Sequence, residues 1–200
     1  MNKPFALNKE AQRLASELLA QANENEPNIT EDLQTIATEV LAEMVGLEHI
    51  FKTEDSLSRK LVDKSYENLR RLPKKAETIN DVLRYTFILP IQNYAIGISQ
   101  TVEKLRELTY QIPEDKIWNA WQTIGSIKDR GYRGFNITVI SFKSQKFELQ
   151  FHTEESFGLK MQTHYLYEEL RDRKISSKRE AELISILKEM AVNIKRPQGV

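Results

Sequence analysis

The chain has 200 residues, of which 40% are hydrophobic and only seven are glycine and six proline. This composition excludes a disordered protein and suits one domain, or one domain with a helical appendage. The 29 basic and 29 acidic residues cancel, which argues against a broad basic surface for duplex nucleic acid, and the absence of cysteine excludes disulfides and thiolate metal sites.

The first ten residues contain no apolar run of the kind found in a signal peptide. No stretch of the sequence is apolar over the length of a membrane span. We therefore expect a cytoplasmic protein without a membrane partner. If it leaves the cell that makes it, we expect a specialised secretion route to carry it into a target cell.

Helical periodicity dominates the first third of the chain. Three helices are predicted there, at about residues 8–22, 28–45 and 53–72. A polar break at Asn23–Pro27 separates the first two, Gly46 ends the second, and Pro73 stops the third. Residues 1–45 are interpreted as an N-terminal helical region.

Strands and helices alternate through the rest of the sequence. Val82–Leu89 is rich in β-branched and aromatic residues and predicts a strand. Ser177 and Glu180 have the spacing of a capping box, which opens the last helix. The other predicted elements are a helix at 94–108, a short strand at 108–112, a hairpin of strands 136–142 and 146–153, and a helix at 155–171.

These elements predict an α+β fold, a mixed β-sheet flanked by helices. The domain division that follows is an N-terminal helical region at 1–45, a core at 46–175, and a C-terminal helix and tail at 176–200.

The segment Lys146–Thr153 is the most informative in the chain. Its apolar side chains point one way, and Glu148, Gln150 and His152 point the other, because successive strand residues face opposite sides of a sheet. A half-buried strand with a wet outer face is the plainest interpretation of this pattern. A carboxylate, an amide and an imidazole on one face also suit a site, and three further features favour that interpretation.

Lys52, Ser56, Lys60 and Lys64 recur every four residues, which places them along one face of a helix. Ammonium groups and a hydroxyl on one face can hold a polyphosphate, although most such stripes are solvated surface. Asp81 stands at the mouth of the Val82–Leu89 strand. It could be a simple turn residue, or it could hold Mg²⁺ together with Glu148 against substrate phosphates.

The third feature is the turn Lys128–Asn136, where Gly131 and Gly134 flank Tyr132 and Arg133. Such a loop can bend around a ligand and offer a ring for stacking, or it is an ordinary glycine turn. His164, Tyr167 and Arg171 share a helix face, for which we expect a structural role. No zinc-ligand spacing, phosphate-binding glycine loop or nucleophile signature is present.

Taken in order, these motifs resemble the synthetase domain of the RelA/SpoT family of nucleotide pyrophosphokinases over about residues 45–172. The family's K-x3-S-[IL]-x2-K pattern matches Lys52 to Lys60, and its strand-leading aspartate matches Asp81. Its K-x3-Y turn matches Lys128 to Tyr132, and its E-[IL]-Q-[IFV]-x-T strand matches Glu148 to Thr153. The residues around these motifs are most similar to those of the toxin-like branch. The family's hydrolase motif is not found in these residues.

Three positions depart from the family pattern. Ile50 replaces a usual basic residue, Asn136 stands where housekeeping members carry His, and His152 where they carry Arg. The last two recur in the toxin-like branch and bear on the choice of acceptor.

The resemblance implies transfer of the β,γ-pyrophosphoryl group of ATP to the 3′-hydroxyl of a purine nucleotide, with Mg²⁺ as cofactor. It implies that Asp81 and Glu148 hold the metal, that Glu148 also takes the proton of the attacking hydroxyl, and that Tyr132 stacks on the acceptor base. It assigns the ATP phosphates to Lys52, Arg59, Lys60 and Lys128. The other nucleotide-binding positions are Ser56, Arg84, Arg133, Asn136, Gln150 and His152.

Two alternatives stay open: the acceptor could be the 3′ end of tRNA, which the neutral charge disfavours, or the chain could be an inactive nucleotide-binding module, which only Ile50 supports. The toxin-like wording favours adenosine over guanosine acceptors. An immunity or antitoxin protein is a further candidate partner.

Overall fold

The computed structural model describes residues 3–62, 71–170 and 175–200, with side chains from residue 8 onward. A five-stranded sheet lies at its centre, in the order β1-β2-β5-β4-β3. The strands are β1 (Glu43–Val45), β2 (Leu83–Ile88), β3 (Ile117–Asn119), β4 (Phe135–Ile140) and β5 (Lys146–His152). The α-helices in these ranges are α1 (Lys3–Glu39), α2 (Glu54–Leu61), α3 (Leu72–Ala76), α4 (Tyr94–Glu107), α5 (Glu154–Leu170) and α6 (Ser177–Met190).

The sheet is mixed, which confirms the predicted α+β class. β2 and β5 are parallel neighbours in its middle, while every other pair is antiparallel. A parallel pair requires a long crossover between its strands. Here the crossover contains α4 and β3, and the predicted β4–β5 hairpin returns the chain to the centre.

The two faces of β5 differ as the alternation predicted. Phe147, Leu149 and Phe151 are fully buried in the main core, where side chains of α1 and α4 also lie. Glu148, Gln150 and His152 occupy the opposite face, but that face is not wet. His152 is 0% exposed and Gln150 only 5%. Polar groups buried in this way must be hydrogen-bonded to be tolerated.

The predicted break at Asn23–Pro27 is wrong, because α1 runs unbroken through Pro27. An interior proline costs a helix about 3 kcal/mol. The buried stripe nevertheless continues across it, through Ala22, Ile29 and Leu33. Burying each large aliphatic side chain contributes about 1.5–3 kcal/mol, so tertiary packing outweighs the local penalty.

The end of α1 and the region after it also differ from prediction. The helix ends at Glu39, and residues predicted as its last turn form β1, which pairs with β2. The next helix begins as predicted after Thr53, whose hydroxyl accepts a hydrogen bond from the backbone N–H of Ser56. Residues 63–70, which include Lys64, lie outside the described ranges. Pro73 does not stop a helix but lies in the first turn of α3.

Between α4 and β4 the prediction placed the edge strand incorrectly. Residues 108–112 contribute only an isolated bridge, between Gln111 and Ile140, whereas β3 at 117–119 was not predicted. Three-residue strands carry too little periodicity to be recognised, and pairing with β4 defines this one.

The last helix packs onto the body of the protein. Its N-cap is Ser176, not Ser177, because the Ser176 hydroxyl accepts from the backbone N–H of Arg179. The backbone of α6 comes so close to Gly131 that a Cβ there would lie 2.6 Å from the Leu187 carbonyl carbon. Within the described ranges, no helix has both the length and the apolar character needed to span a membrane.

Candidate active site

The site lies on the polar face of β2, β5 and β4. Asp81 lies two residues before the start of β2 and is buried. Its carboxylate accepts hydrogen bonds from the ammonium groups of Lys52, at 2.5 Å, and Lys60, at 2.7 Å. We call these three residues the lysine side.

The lysine side is assembled by backbone pairing. The Lys52 N–H donates to the Val82 carbonyl, so the segment before α2 lies beside the start of β2. Lys60 reaches the same carboxylate from the last turn of α2. The prediction that Lys52 belongs to the helical stripe is therefore wrong. Lys52 precedes the N-cap Thr53, and it meets Lys60 through the shared carboxylate instead.

Electrostatics hold Asp81 ionised. Burial works to raise the pKa of Asp81, but the two adjacent ammonium groups outweigh it and lower the pKa to about 2. Burial lowers the pKa of Lys52, against the opposing effect of Asp81. The cost of desolvating this lysine is thus only partly offset by its partner, which suits a cation that can bind a further anion.

Arg84 connects the two predicted metal carboxylates. Its guanidinium lies 3.4 Å from Asp81 and 3.1 Å from Glu148. The second contact follows from the sheet, because Arg84 is the direct partner of Glu148 in the parallel β2–β5 register. The two acids, 67 positions apart in sequence (148 − 81), therefore share one guanidinium.

Beyond Arg84, neutral amides surround Glu148. Asn136 on β4 and Gln150 on β5 each donate an amide N–H to Glu148 Oε1, both at 2.9 Å. Asn136 and Gln150 are register partners, as are Thr138 and Glu148, so strand pairing fixes the geometry. We call Asn136, Glu148 and Gln150 the amide side.

The network continues to a ring pair beside the amide side. A carboxylate only accepts, so the Asn136 NH₂ must face Glu148, and its carbonyl oxygen then accepts from the Tyr132 hydroxyl at 2.9 Å. The Tyr132 oxygen is left to accept from His152 Nε2, at 3.0 Å. Burial raises the pKa of Tyr132 well above its usual value. Burial, with Lys160 nearby, lowers the pKa of His152 to about 3, so the imidazole is neutral at pH 7.

Two residues that the sequence interpretation missed complete this region. Lys160 on α5 donates to Gln150 Oε1 at 2.6 Å. Trp118 on β3 stacks on Tyr132, with ring centroids 5.1 Å apart and planes 13° apart, and stays 46% exposed. Trp118 was not predicted because it lies on β3, the strand that the sequence did not reveal. The one signal for Lys160 was a lysine four residues after Ser156 on an otherwise inward face of α5.

The other predicted site residues lie at the margins. The Ser56 hydroxyl accepts hydrogen bonds from Thr53 and from Arg59, on the exposed start of α2. Lys128 is exposed on the loop before Tyr132. Arg133 does not reach the carboxylates, because its guanidinium donates to buried Asp129 at 2.9 Å.

Three further predictions concern residues outside the carboxylate cluster. His164 is exposed near Glu168 on α5, and Arg171 lies outside the described ranges. Ile50, which replaces the family's basic residue, is buried in the core, so this position brings no charge to the site.

The donor set suits a magnesium ion shared with substrate. The described residues contain no group of three or more His, Asp or Glu side chains that could form an all-protein metal site. Mg²⁺ is usually held by one or two carboxylates together with substrate phosphates. Asp81 and Glu148, joined by one guanidinium, fit that mode of binding.

Comparison with known proteins yields matches in structure only. Neither a family model nor a curated protein matches the sequence. Small alarmone synthetase 2 from Bacillus subtilis superposes with a TM-score of 0.56 at 18% identity, covering 88% of this chain and 89% of that one. The type VI effector Tas1, solved with its immunity protein, gives 0.56 at 14% identity over 88% and 93%. Small alarmone synthetase 1 from B. subtilis, bound to its product pppGpp, gives 0.52 at 15% identity over 90% and 95%.

The matches extend over most of both chains in each case. The chain therefore has the fold of the RelA/SpoT-type alarmone synthetases.

Proposed function

We propose that the protein is an ATP-dependent pyrophosphokinase that transfers the β,γ-pyrophosphoryl group of ATP to the 3′-hydroxyl of a purine nucleotide. The observation that carries the proposal is the line of charge across the polar face. Asp81 and Glu148 lie on either side of Arg84, with Lys52 and Lys60 at one end. Phosphoryl-type transfer needs alignment and charge neutralisation more than covalent chemistry by the protein, and this line offers both.

The lysine side is the proposed site for ATP. Lys52 and Lys60 hold a carboxylate that phosphate oxygens can replace, and Arg59 and Lys128 lie on exposed segments that can reach outer phosphates. If the lysines turned to phosphate, the Asp81 oxygens would be free to hold the metal. A Mg²⁺ ion on Asp81 and Glu148 would neutralise the charge of the transferred group.

Glu148 is the proposed base. In the reaction the acceptor 3′-oxygen bonds to the β-phosphorus of ATP, the bond from that phosphorus to the α,β-bridging oxygen breaks, and AMP leaves. The proton of the hydroxyl passes to Glu148. The amides of Asn136 and Gln150 fix this carboxylate in place, so that little reorganisation is needed at the moment of attack.

The aromatic pair is the proposed surface for the acceptor base. Trp118 covers one face of Tyr132, so the exposed ring of the stack is Trp118. Stacking on an aromatic side chain accepts any base, which leaves the choice of base to hydrogen bonds at its edge. Adenosine nucleotides are the proposed acceptors, in line with the toxin-like sequence motifs.

The test is product analysis. The protein is incubated with ATP, Mg²⁺ and one of ADP, ATP, GDP or GTP, and the nucleotides are separated by anion-exchange chromatography. We expect AMP together with a 3′-pyrophosphorylated product. An absence of both with every acceptor would sink the proposal, and transfer of label from γ-labelled ATP to deacylated tRNA alone would redirect it to RNA.

A toxic role, with an immunity protein as partner, is also proposed, because the chain shares its fold with the type VI effector Tas1, which was solved with its immunity protein. Consumption of ATP and of the acceptor would stop growth. Induction of the wild-type chain in bacteria should therefore arrest growth, whereas Glu148→Gln at equal abundance should not. Equal arrest by both would remove the link between the chemistry and the toxicity.

A further inference from the structure

Lys160 enters the polar face from a direction that the other cations do not use. It lies on α5, four residues after Ser156, on the side of the helix that packs against β5. Its ammonium donates to Gln150 Oε1 at 2.6 Å and lies 5.5 Å from the centre of the Phe157 ring. Lys160 is thus at the amide side, separated from Glu148 by a single side-chain amide.

The ammonium determines how Gln150 is oriented. A lysine ammonium can only donate, so the Gln150 carbonyl must face Lys160 and its NH₂ must face Glu148. Both hydrogen bonds are present, at 2.6 and 2.9 Å. Gln150 uses one of three donor positions on the ammonium, and the structure gives Lys160 no carboxylate partner among the described residues.

Of Lys52, Lys60, Arg84 and Lys160, only Lys160 has no direct counter-ion in the described part of the chain. Lys52, Lys60 and Arg84 each contact Asp81 or Glu148, whereas Lys160 contacts a neutral amide. Burial, reinforced by Arg84 and only partly opposed by Glu148, lowers the pKa of Lys160 to about 8. A desolvated ammonium without a counter-ion favours an anion brought by a ligand.

We propose that Lys160 binds the 5′-phosphates of the acceptor nucleotide, and so selects acceptors with free terminal phosphates over nucleosides and over the 3′ end of RNA. This inference rests on the proposed function. The lysine side is assigned to ATP, the exposed face of Trp118 to the base, and Glu148 to the 3′-hydroxyl. Lys160 is the cation on the amide side, joined to Glu148 through Gln150, whereas Asp81 is joined to Glu148 through Arg84.

The experiment is steady-state kinetics over an acceptor series: the adenosine nucleoside and its 5′-mono-, di- and triphosphates, or the guanosine series if wild type prefers it. Wild type is compared with Lys160→Met, Lys160→Arg and the control Lys178→Met, an exposed lysine on α6. For the di- and triphosphate we expect Lys160→Met to raise the acceptor KM about 10-fold or more, the loss of one charge-assisted contact. In Lys160→Met the KM values for ATP and for the nucleoside should change less than about twofold. In the control Lys178→Met the acceptor KM should also change less than about twofold, and Lys160→Arg should retain most of the affinity for the di- and triphosphate.

An equal loss across the series, nucleoside included, would overturn the inference, because it would assign Lys160 only to orienting Gln150. If wild type makes no product at all, the proposed function fails separately. The same series is then measured by calorimetric binding, which needs no turnover. A diphosphate-over-nucleoside preference that persists in Lys160→Met would reject the phosphate anchor, and its loss would support it. Thermal melting confirms that each variant is folded.

The pH dependence gives a second readout. The groups that face Lys160 are Arg84 from β2 and Glu148 and His152 from β5, and Tyr132, from the loop before β4, contacts His152. The pKa of Arg84 is raised, that of Tyr132 lies well above its usual value, and that of His152 is about 3. From pH 7 to pH 9 the wild-type diphosphate KM should rise about 10-fold as Lys160 deprotonates, while Lys160→Arg stays flat. A parallel rise in both proteins would contradict the assignment.

Discussion

The lysine side and the amide side meet at Arg84, but they are built on different physical terms. On the lysine side, two ammonium groups converge on Asp81 from a loop and from a short helix. On the amide side, Glu148 is held by neutral amides from paired strands. Ion pairs between flexible side chains can exchange one anion for another. Strand register cannot shift by one residue without moving every side chain of the strand to the opposite face of the sheet.

This difference suits a division of labour. The site that must capture and release a polyphosphate uses the adaptable ion pairs, and the site that must aim a hydroxyl uses the rigid amides. Of the four predictions below, ordered from the largest expected effect to the smallest, the first three test that division and the fourth tests the buried imidazole beside the amide side.

Removing the charge of Glu148 should have the largest effect. For Glu148→Gln we expect kcat to fall by about 10³-fold or more, because metal, proton acceptor and alignment are lost together. The KM for the acceptor should change little. Kinetics on the purified variant test this, with the exposed Glu154→Gln as control. Retention of a tenth of wild-type kcat would show that Glu148 is not the base.

Lys52→Met and Lys60→Met should weaken ATP and spare the acceptor. A charge-assisted hydrogen bond contributes about 1.5–3 kcal/mol, so we expect the ATP KM to rise about 10-fold to 100-fold. Lys52, with its side chain 18% exposed against 42% for Lys60, should show the larger effect. Exposed Lys74→Met is the control. A larger rise in acceptor KM than in ATP KM would reverse the assignment of the two sides.

Trp118→Ala should weaken binding of the acceptor and leave binding of ATP unchanged. Base stacking on an aromatic ring contributes about 1–3 kcal/mol, which predicts a rise of roughly 10-fold in acceptor KM and no change for ATP. Trp118→Phe should recover part of the loss. Because Trp121 is fully buried, quenching of tryptophan fluorescence by the acceptor should come from exposed Trp118 and disappear in Trp118→Phe. A lowered acceptor KM in Trp118→Ala would mean that this ring blocks the site.

His152 should make stability depend on pH. Its pKa falls from 6.5 to about 3 on folding, so the unfolded state binds more protons below pH 6.5. Stability is then fully present above pH 6.5 and is lost as the pH falls towards 3. Between pH 6 and pH 5 we expect wild type to lose about 1 kcal/mol of unfolding free energy, and His152→Gln to lose much less. Urea unfolding at each pH measures this.

The matched control for that prediction is His164→Gln, since His164 is exposed on α5. The unfolding free energy of this variant should depend on pH as steeply as that of wild type. Equal slopes in wild type and His152→Gln would contradict the assignment of a neutral, buried imidazole.

Some features could be predicted from sequence because they depend on local periodicity. Alternation along Lys146–His152 placed Glu148 and Gln150 on one face, and the β-branched run after Asp81 identified β2. The locally encoded hairpin and central helices were found as well. Pro27 was misinterpreted because its helical penalty was judged without the core that offsets it, and Pro73 because proline is tolerated in the first turn of a helix.

The sequence by itself determined which side chains share a face and which motifs recur in order, because strand and helix periods are written in neighbouring residues. Only the tertiary structure decided that Lys52 and Lys60 both bind Asp81 and that Trp118 stacks on Tyr132. It also decided that Arg133 pairs with Asp129 and that Lys160 binds Gln150. Each of these contacts joins side chains from different segments or settles a competition between partners. Strand register, burial and charge balance select among such partners, and these are properties of the folded chain as a whole.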